Sequence, residues 1–252
     1  MKANLTEALL KKFESDNTAY QFLSKLLQDA KVYLFGGAIR DYLDGNLDAS
    51  RDIDLVVEAR NNLSIDILDY LPSSVNISYK KNRYDGYKID FNNHILVDIW
   101  NLNDTWAFRT NKVETSAENL VKSVYLNIDA LVYCLNNNMF LNNSDLNYLN
   151  VINNRTLDIV LKDNPYEDLN LLRALVFQKR YSLEFSDKLK HRFFCYMSMN
   201  ENYAIEKFIN LQNEHFANVI LDQKALVNIL YKFEIERGEQ EFIKDNYHEE
   251  CL

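Results

Sequence analysis

Residues 32–57 constrain this chain more than any other stretch. They read Val-Tyr-Leu-Phe-Gly-Gly-Ala-Ile-Arg-Asp-Tyr-Leu, then a short polar link, then Ser-Arg-Asp-Ile-Asp-Leu-Val-Val. Lys31 to Phe35 predicts a strand that enters the turn Gly36-Gly37. Ala38 to Leu43 predicts a short helix, which Gly45 can end in a left-handed conformation. From Ile53 to Val57 a second apolar strand carries Asp52 and Asp54 at its start. The chain holds only five glycines in 252 residues, well under the usual share of about 7%. Two of them side by side therefore mark a turn that the backbone requires.

Residues two apart on a strand share a face, so Asp52 and Asp54 project together while Ile53 and Leu55 turn to the core. Two carboxylates held that close repel, and a divalent cation between them relieves the repulsion. Oxygen ligands at few positions suit Mg²⁺, which completes its shell with water and substrate phosphates. A second ion needs a third carboxylate, and Asp98 in Ile-Leu-Val-Asp-Ile-Trp is the preferred candidate because its flanks are apolar throughout. Asp90 in Tyr-Lys-Ile-Asp-Phe competes for the role, and alternation along that strand does not decide between them. Backbone amides at the Gly36-Gly37 turn can cradle an anion, and Arg40, one turn further on, can reach the same anion. Asp41 is expected to make a structural hydrogen bond or ion pair. Taken singly, a Gly-Gly turn is usually only a turn and Asp-x-Asp is common on solvated strands. Their ordered combination with a later carboxylate in an apolar strand is far more specific.

Around this stretch the periodicity predicts an α+β chain. Residues 5–29 carry apolar positions at helical spacing, broken near Ser15 to Asn17, and read as two packing helices. Residues 64–71 read as helix, stopped by Pro72-Ser73-Ser74. Val75 to Tyr79, Gly86 to Phe91 and Ile95 to Trp100 read as strands, the last two forming a hairpin around Asn92-Asn93-His94. After about residue 110 the pattern turns helical: Leu120 to Leu135, Asp145 to Leu149, Tyr166 to Leu183, Asp187 to Met199, Tyr203 to Leu211 and Gln223 to Glu236, with no further strand. The expected organisation is a mixed sheet flanked by helices over residues 1–110, then an all-helical region over 111–252, with a solvated acidic end at 233–252.

With 47% apolar residues the chain can bury a sizeable core. No apolar run approaches the roughly 18–20 residues that span a bilayer, and the first residues lack a signal peptide's apolar core, so a cytoplasmic, membrane-free protein is expected. Cys134, Cys195 and Cys251 are odd in number and widely spaced, and read as reduced thiols. None of His94, His191, His215 and His248 stands at metal-ligand spacing, which argues against zinc chemistry. The net charge of −9 excludes a protein whose whole surface grips nucleic acid. A local basic segment remains at 173–192, where Arg173, Lys179, Arg180, Lys188, Lys190 and Arg192 alternate with Phe177, Tyr181 and Phe185. It reads either as a surface holding an RNA acceptor or, more plainly, as amphipathic helix with aromatics in the core.

The run Phe-Gly-Gly-Ala-Ile-Arg-Asp-Tyr-Leu-x-Gly followed by Arg-Asp-Ile-Asp-Leu resembles the head-domain signature of the class II CCA-adding tRNA nucleotidyltransferase and bacterial poly(A) polymerase family, within the DNA polymerase β-like superfamily. The resemblance implies a nucleotidyltransferase head with two Mg²⁺ ions, or Mn²⁺ in their place. It implies Asp52, Asp54 and Asp98 as catalytic metal ligands, and Gly36, Gly37 and Arg40 facing the triphosphate of an NTP. Tyr125 to Tyr133 is similar to the family's Asp-Phe-Thr-Ile-Asn-Ala-Leu-Ala-Tyr, but the preceding arginine pair is Ser123 and Val124 here, leaving Lys122 or Arg109 to contact the nucleotide. Glu167 to Phe177 looks like the family's Asp-Pro-Leu-Arg-x-Leu-Arg-Ala-x-Arg-Phe helix. Its base-reading Asp and Arg become Glu167 and Asn170, and Arg173 is retained as a nucleotide-binding candidate. The expected reaction is NMP transfer from NTP to an acceptor hydroxyl, with a tRNA-like RNA 3′ end favoured. The alternatives are nucleotidylation of a protein or small molecule, as by a toxin or defence effector, and a non-catalytic nucleotide-binding module. Oligomeric state and preferred NTP are not legible.

Overall fold

Seven strands pair into one mixed sheet in the computed structural model, which describes residues 4–50, 52–60, 64–72, 77–92, 95–199, 203–216 and 219–230. The chain divides into two compact units, Met1–Val124 with Ile128–Leu149, and Tyr125–Asn127 with Asn150–Leu252.

The first unit opens with helix α1 (Leu5–Phe13), whose N-terminus Asn4 caps through a reciprocal pair of hydrogen bonds with Glu7. Helix α2 (Asn17–Asp29) begins at Asp16, whose carboxylate accepts from the amides of Thr18 and Ala19, and this is why the helical pattern breaks there. Then follow β1 (Ala30–Phe35), α3 (Gly37–Leu43), β2 (Asp52–Ala59), β3 (Ser78–Lys81), β4 (Tyr87–Phe91), β5 (Ile95–Asn101), α4 (Trp106–Arg109), β6 (Val132–Cys134) and β7 (Met139–Phe140). The strand order is β3-β4-β5-β2-β1-β6-β7. Among the described residues of this sheet, β2 and β5 run parallel and every other neighbour pair is antiparallel.

Alternate residues of β1, β2, β4 and β5 face the core. Val32, Leu34, Ile53, Leu55, Ile89, Phe91, Val97 and Ile99 share one face and are buried. Helix α2 covers part of it, with the Phe22 ring 5.5 Å from that of Phe91. Each such side chain contributes about 1.5–3 kcal/mol on burial, so the register of the sheet is fixed from this side. The carboxylates lie on the other.

Sequence and structure part company in the middle of the chain. Leu120 to Leu135 is not a helix: it holds 3₁₀ turns at Glu118–Lys122 and Asn127–Asp129 and then strand β6. Val132-Tyr133-Cys134 is buried throughout, and a short apolar run buried on both faces carries no period that separates strand from helix. The sheet thus extends beyond residue 110. Residues 67–70 form a 3₁₀ turn in place of a longer helix.

Helix α5 (Ser144–Asn154) straddles the division of the chain. The second unit contains β8 (Thr156–Leu157), α6 (Glu167–Tyr181), β9 (Glu184–Phe185), α7 (Asp187–Met199), α8 (Ala204–Phe216) and helical turns at 223–230. It is mainly helical but not wholly so, because β8 and β9 form a parallel pair. Phe185 stacks on Phe193 at 5.1 Å and Tyr196 on Phe208 at 5.5 Å. The buried Gln212 amide bonds the backbone of Ile220 and Leu221.

Cys134 is a buried free thiol, and Cys195 is buried on α7. No helix of the described residues is long and apolar enough to cross a membrane. The acidic end at 233–252, Arg51, His94, His248, Cys251, part of the 92–94 turn, Ser73-Ser74 and the start of the Val75 strand lie outside the described residues.

Candidate active site

Strand β2 presents Asp52 and Asp54 on the same face, as their spacing requires. Strand β5 lies beside it in a register that sets Asp98 directly opposite Asp54 and Leu96 opposite Asp52. Three carboxylates therefore meet on one face across a single parallel pair. Asp90 points to the same side, but it stands on β4 opposite Leu96, one strand further from β2. Geometry thus brings Asp98, and not Asp90, next to Asp54. The Asp52 and Asp98 side chains are 19% and 31% exposed, so both are within reach of a ligand from solvent.

The turn between β1 and α3 completes this corner. Gly36 adopts φ +66°, ψ −122°, a combination essentially restricted to glycine. A β-carbon there would stand 4.0 Å from Asp54 Oδ2, which measures how closely the turn approaches the carboxylate. Strand register explains it, since Phe35, just before the turn, pairs with Asp54. The Gly36 amide donates to the Leu131 carbonyl at 2.9 Å.

Arg40, on α3, has a partner distant in sequence. Its guanidinium forms a buried ion pair with Asp129, each side chain 9% exposed. A β-carbon on Gly37 would lie 3.5 Å from Arg40 Nη2. The guanidinium thus braces the glycine turn from within. Asp41 accepts a hydrogen bond from Ser50 Oγ at 2.8 Å, in the structural role expected of it.

Lys88 is the residue that sequence reasoning missed. It pairs with Asp98 in the β4–β5 hairpin, and its ammonium lies 3.5 Å from Asp98 Oδ2 and 3.4 Å from Asp52 Oδ1. Burial works against its charge, but Asp98 and Asp52 outweigh that and hold the ammonium above the ordinary lysine range. The signal was available only through strand pairing, which no local pattern gives. Among the described residues, no three acidic, histidine or cysteine side chains stand in a metal-ligating arrangement as they are placed. The hard carboxylate oxygens of Asp52, Asp54 and Asp98 nonetheless form a donor set that fits Mg²⁺, provided that Lys88 moves aside.

Lys122 ends a 3₁₀ turn and is exposed, and Ser123 and Val124, at the positions of the arginine pair, are both buried. Arg109 bonds Asp85 at 2.6 Å. In the second unit, Arg173 lies over the Phe177 ring at 5.6 Å, Glu167 is ion-paired with Arg192, and Asn170 donates to Asn164 at 2.6 Å. Phe177 and Phe185 are buried, whereas Tyr181 is half-buried with Arg180 over its ring at 5.1 Å. A cavity of about 340 Å³ opens on the carboxylate face of the first unit, lined among others by Lys31, Tyr33, Glu58 and Thr115. It lies toward the far end of β2 and includes none of the three carboxylates.

No protein-family model matches the chain, and no curated protein is similar to it. Solved structures do match. A CCA-adding enzyme in complex with CTP superposes with a TM-score of 0.61 at 14% identity, covering 92% of this chain and 55% of the other. The Thermotoga maritima CCA-adding enzyme complexed with tRNA gives 0.58 at 15% identity, over 85% of this chain and 49% of the other. A tRNA-processing enzyme with CTP gives 0.58 at 16% identity, over 86% and 56%. The chain spans about half the length of these proteins and has their fold: a mixed sheet with flanking helices in an α+β arrangement.

Proposed function

We propose that the chain is a metal-dependent nucleotidyltransferase that moves NMP from an NTP to an acceptor hydroxyl, with an RNA 3′ end as the favoured acceptor. The observation that carries this reading is the β2–β5 register, which sets Asp98 beside Asp54 on the face that also bears Asp52 and adjoins the glycine turn. The fold shared with structures described as CCA-adding enzymes bound to CTP or tRNA supports it.

In the reaction the acceptor oxygen bonds the α-phosphorus, the bond to pyrophosphate breaks, and the hydroxyl proton passes to solvent. Asp52, Asp54 and Asp98 would hold Mg²⁺, which when bound lowers the cost of the charge that develops on the attacking and leaving oxygens. The Gly36-Gly37 turn would lie along the phosphates, with the Arg40–Asp129 pair fixing its shape from below. The D52A/D54A double variant should lose NMP transfer by at least about a thousandfold, the equivalent of several kcal/mol. Transfer at the wild-type rate would refute the proposal.

A protein or small-molecule acceptor is the second reading. It is favoured by Ser123 and Val124 being buried where nucleotide-contacting arginines are expected, and by the engagement of Glu167 and Asn170 with Arg192 and Asn164. Incubating the protein with each labelled NTP in the presence of total RNA or total protein separates the two, because the label enters one fraction only.

A further inference from the structure

We propose that Lys88 is an internal competitor for the metal: its ammonium occupies the cation position between Asp52 and Asp98, and a divalent ion binds only by displacing it. The inference rests on the three carboxylates being the metal ligands.

Three carboxylates on one face require compensating charge, and in this structure a side chain supplies part of it. Lys88 stands on β4, two strands from Asp52, yet its stem crosses β5 so that Nζ reaches Asp52 Oδ1 at 3.4 Å and Asp98 Oδ2 at 3.5 Å. An ammonium equidistant from oxygens on two strands lies where a bridging ion would lie. Both contacts are long, and the Lys88 side chain is 48% exposed. Ion pairs of that kind are weak and screened by solvent, and the flexible stem lets the ammonium swing into water. The lysine therefore holds the carboxylates together in the absence of metal and yields to an ion of twice its charge. On the same face, Asp90 stands opposite Leu96 and Ser78, and Lys80 stands opposite Lys88 across the β3–β4 ladder.

The test is Mn²⁺ binding, followed by loss of the free-ion electron paramagnetic resonance signal, without nucleotide or turnover. Lys88→Met should bind Mn²⁺ roughly five- to tenfold more tightly than wild type, the fold-change that corresponds to losing contacts of this strength. Lys88→Arg, which keeps the charge, should stay within about twofold of wild type. Equal affinity of Lys88→Met and wild type overturns the inference, as does an equal gain in both variants, since shape and not charge would then be responsible. If wild type binds Mn²⁺, D52A/D54A does not, and Lys88→Met matches wild type, the inference fails while the metal site stands. If neither wild type nor Lys88→Met binds, the metal reading falls and takes the inference with it. Lys88→Gln replaces Lys88→Met should the latter not give a cooperative melt.

Discussion

Removing the Asp129 carboxylate would leave the Arg40 guanidinium buried without the charge that faces it, and breaking a buried pair from one side costs about 3–5 kcal/mol. Asp129→Ala is therefore expected to lower the unfolding free energy in urea by about 3 kcal/mol, whereas Arg40→Met with Asp129→Leu should regain most of it. The two residues are 89 positions apart, so no local pattern announces their pairing. A motif states which residues are near in sequence, but a guanidinium goes to the carboxylate that the fold delivers. Asp52 and Asp54 were legible for the opposite reason: their shared face follows from the two-residue period of a strand and needs no distant partner.

At the scale of elements, the strands and their facing residues were readable, while their order was not. Apolar alternation marks β1, β2, β4 and β5, yet nothing local states that β5 returns to lie parallel beside β2 with β4 outside it. That arrangement sets Asp98 beside Asp54, leaves Asp90 one strand further out, and brings in Lys88. Asp98→Asn is expected to cut NMP transfer by at least about a hundredfold through loss of a ligand charge. Asp90→Asn, one strand further out, should stay within about threefold of wild type in the same assay of pyrophosphate release. Strand β6 escaped detection because its three residues are apolar on both sides, so neither a helical nor an alternating period is visible.

Across the whole chain, three tyrosines report on stability at high pH. Burial, ahead of the nearby carboxylates, pushes the phenols of Tyr33, Tyr125 and Tyr196 far above their usual value of 10.0. The stability they carry is complete below that value. It is lost as the pH rises further, because the unfolded chain then releases protons that the native chain keeps. Urea midpoints should fall steadily above pH 10, and phenolate absorbance of these three should appear only with unfolding. The α+β class was legible from periodicity and one motif. The acceptor was not, because the positions that read the base in the resembling family are occupied here by Glu167 and Asn170, each committed to a neighbour. The pleat of β2 also has a consequence for how damage to the molecule would be felt. Sliding β2 by one residue would turn Asp52 and Asp54 inward and Ile53 and Leu55 outward, so the energy that folds the core also rejects every miswired centre. On the proposed function, a destabilising substitution in the core should therefore reduce the number of working copies while leaving the turnover of each survivor unchanged.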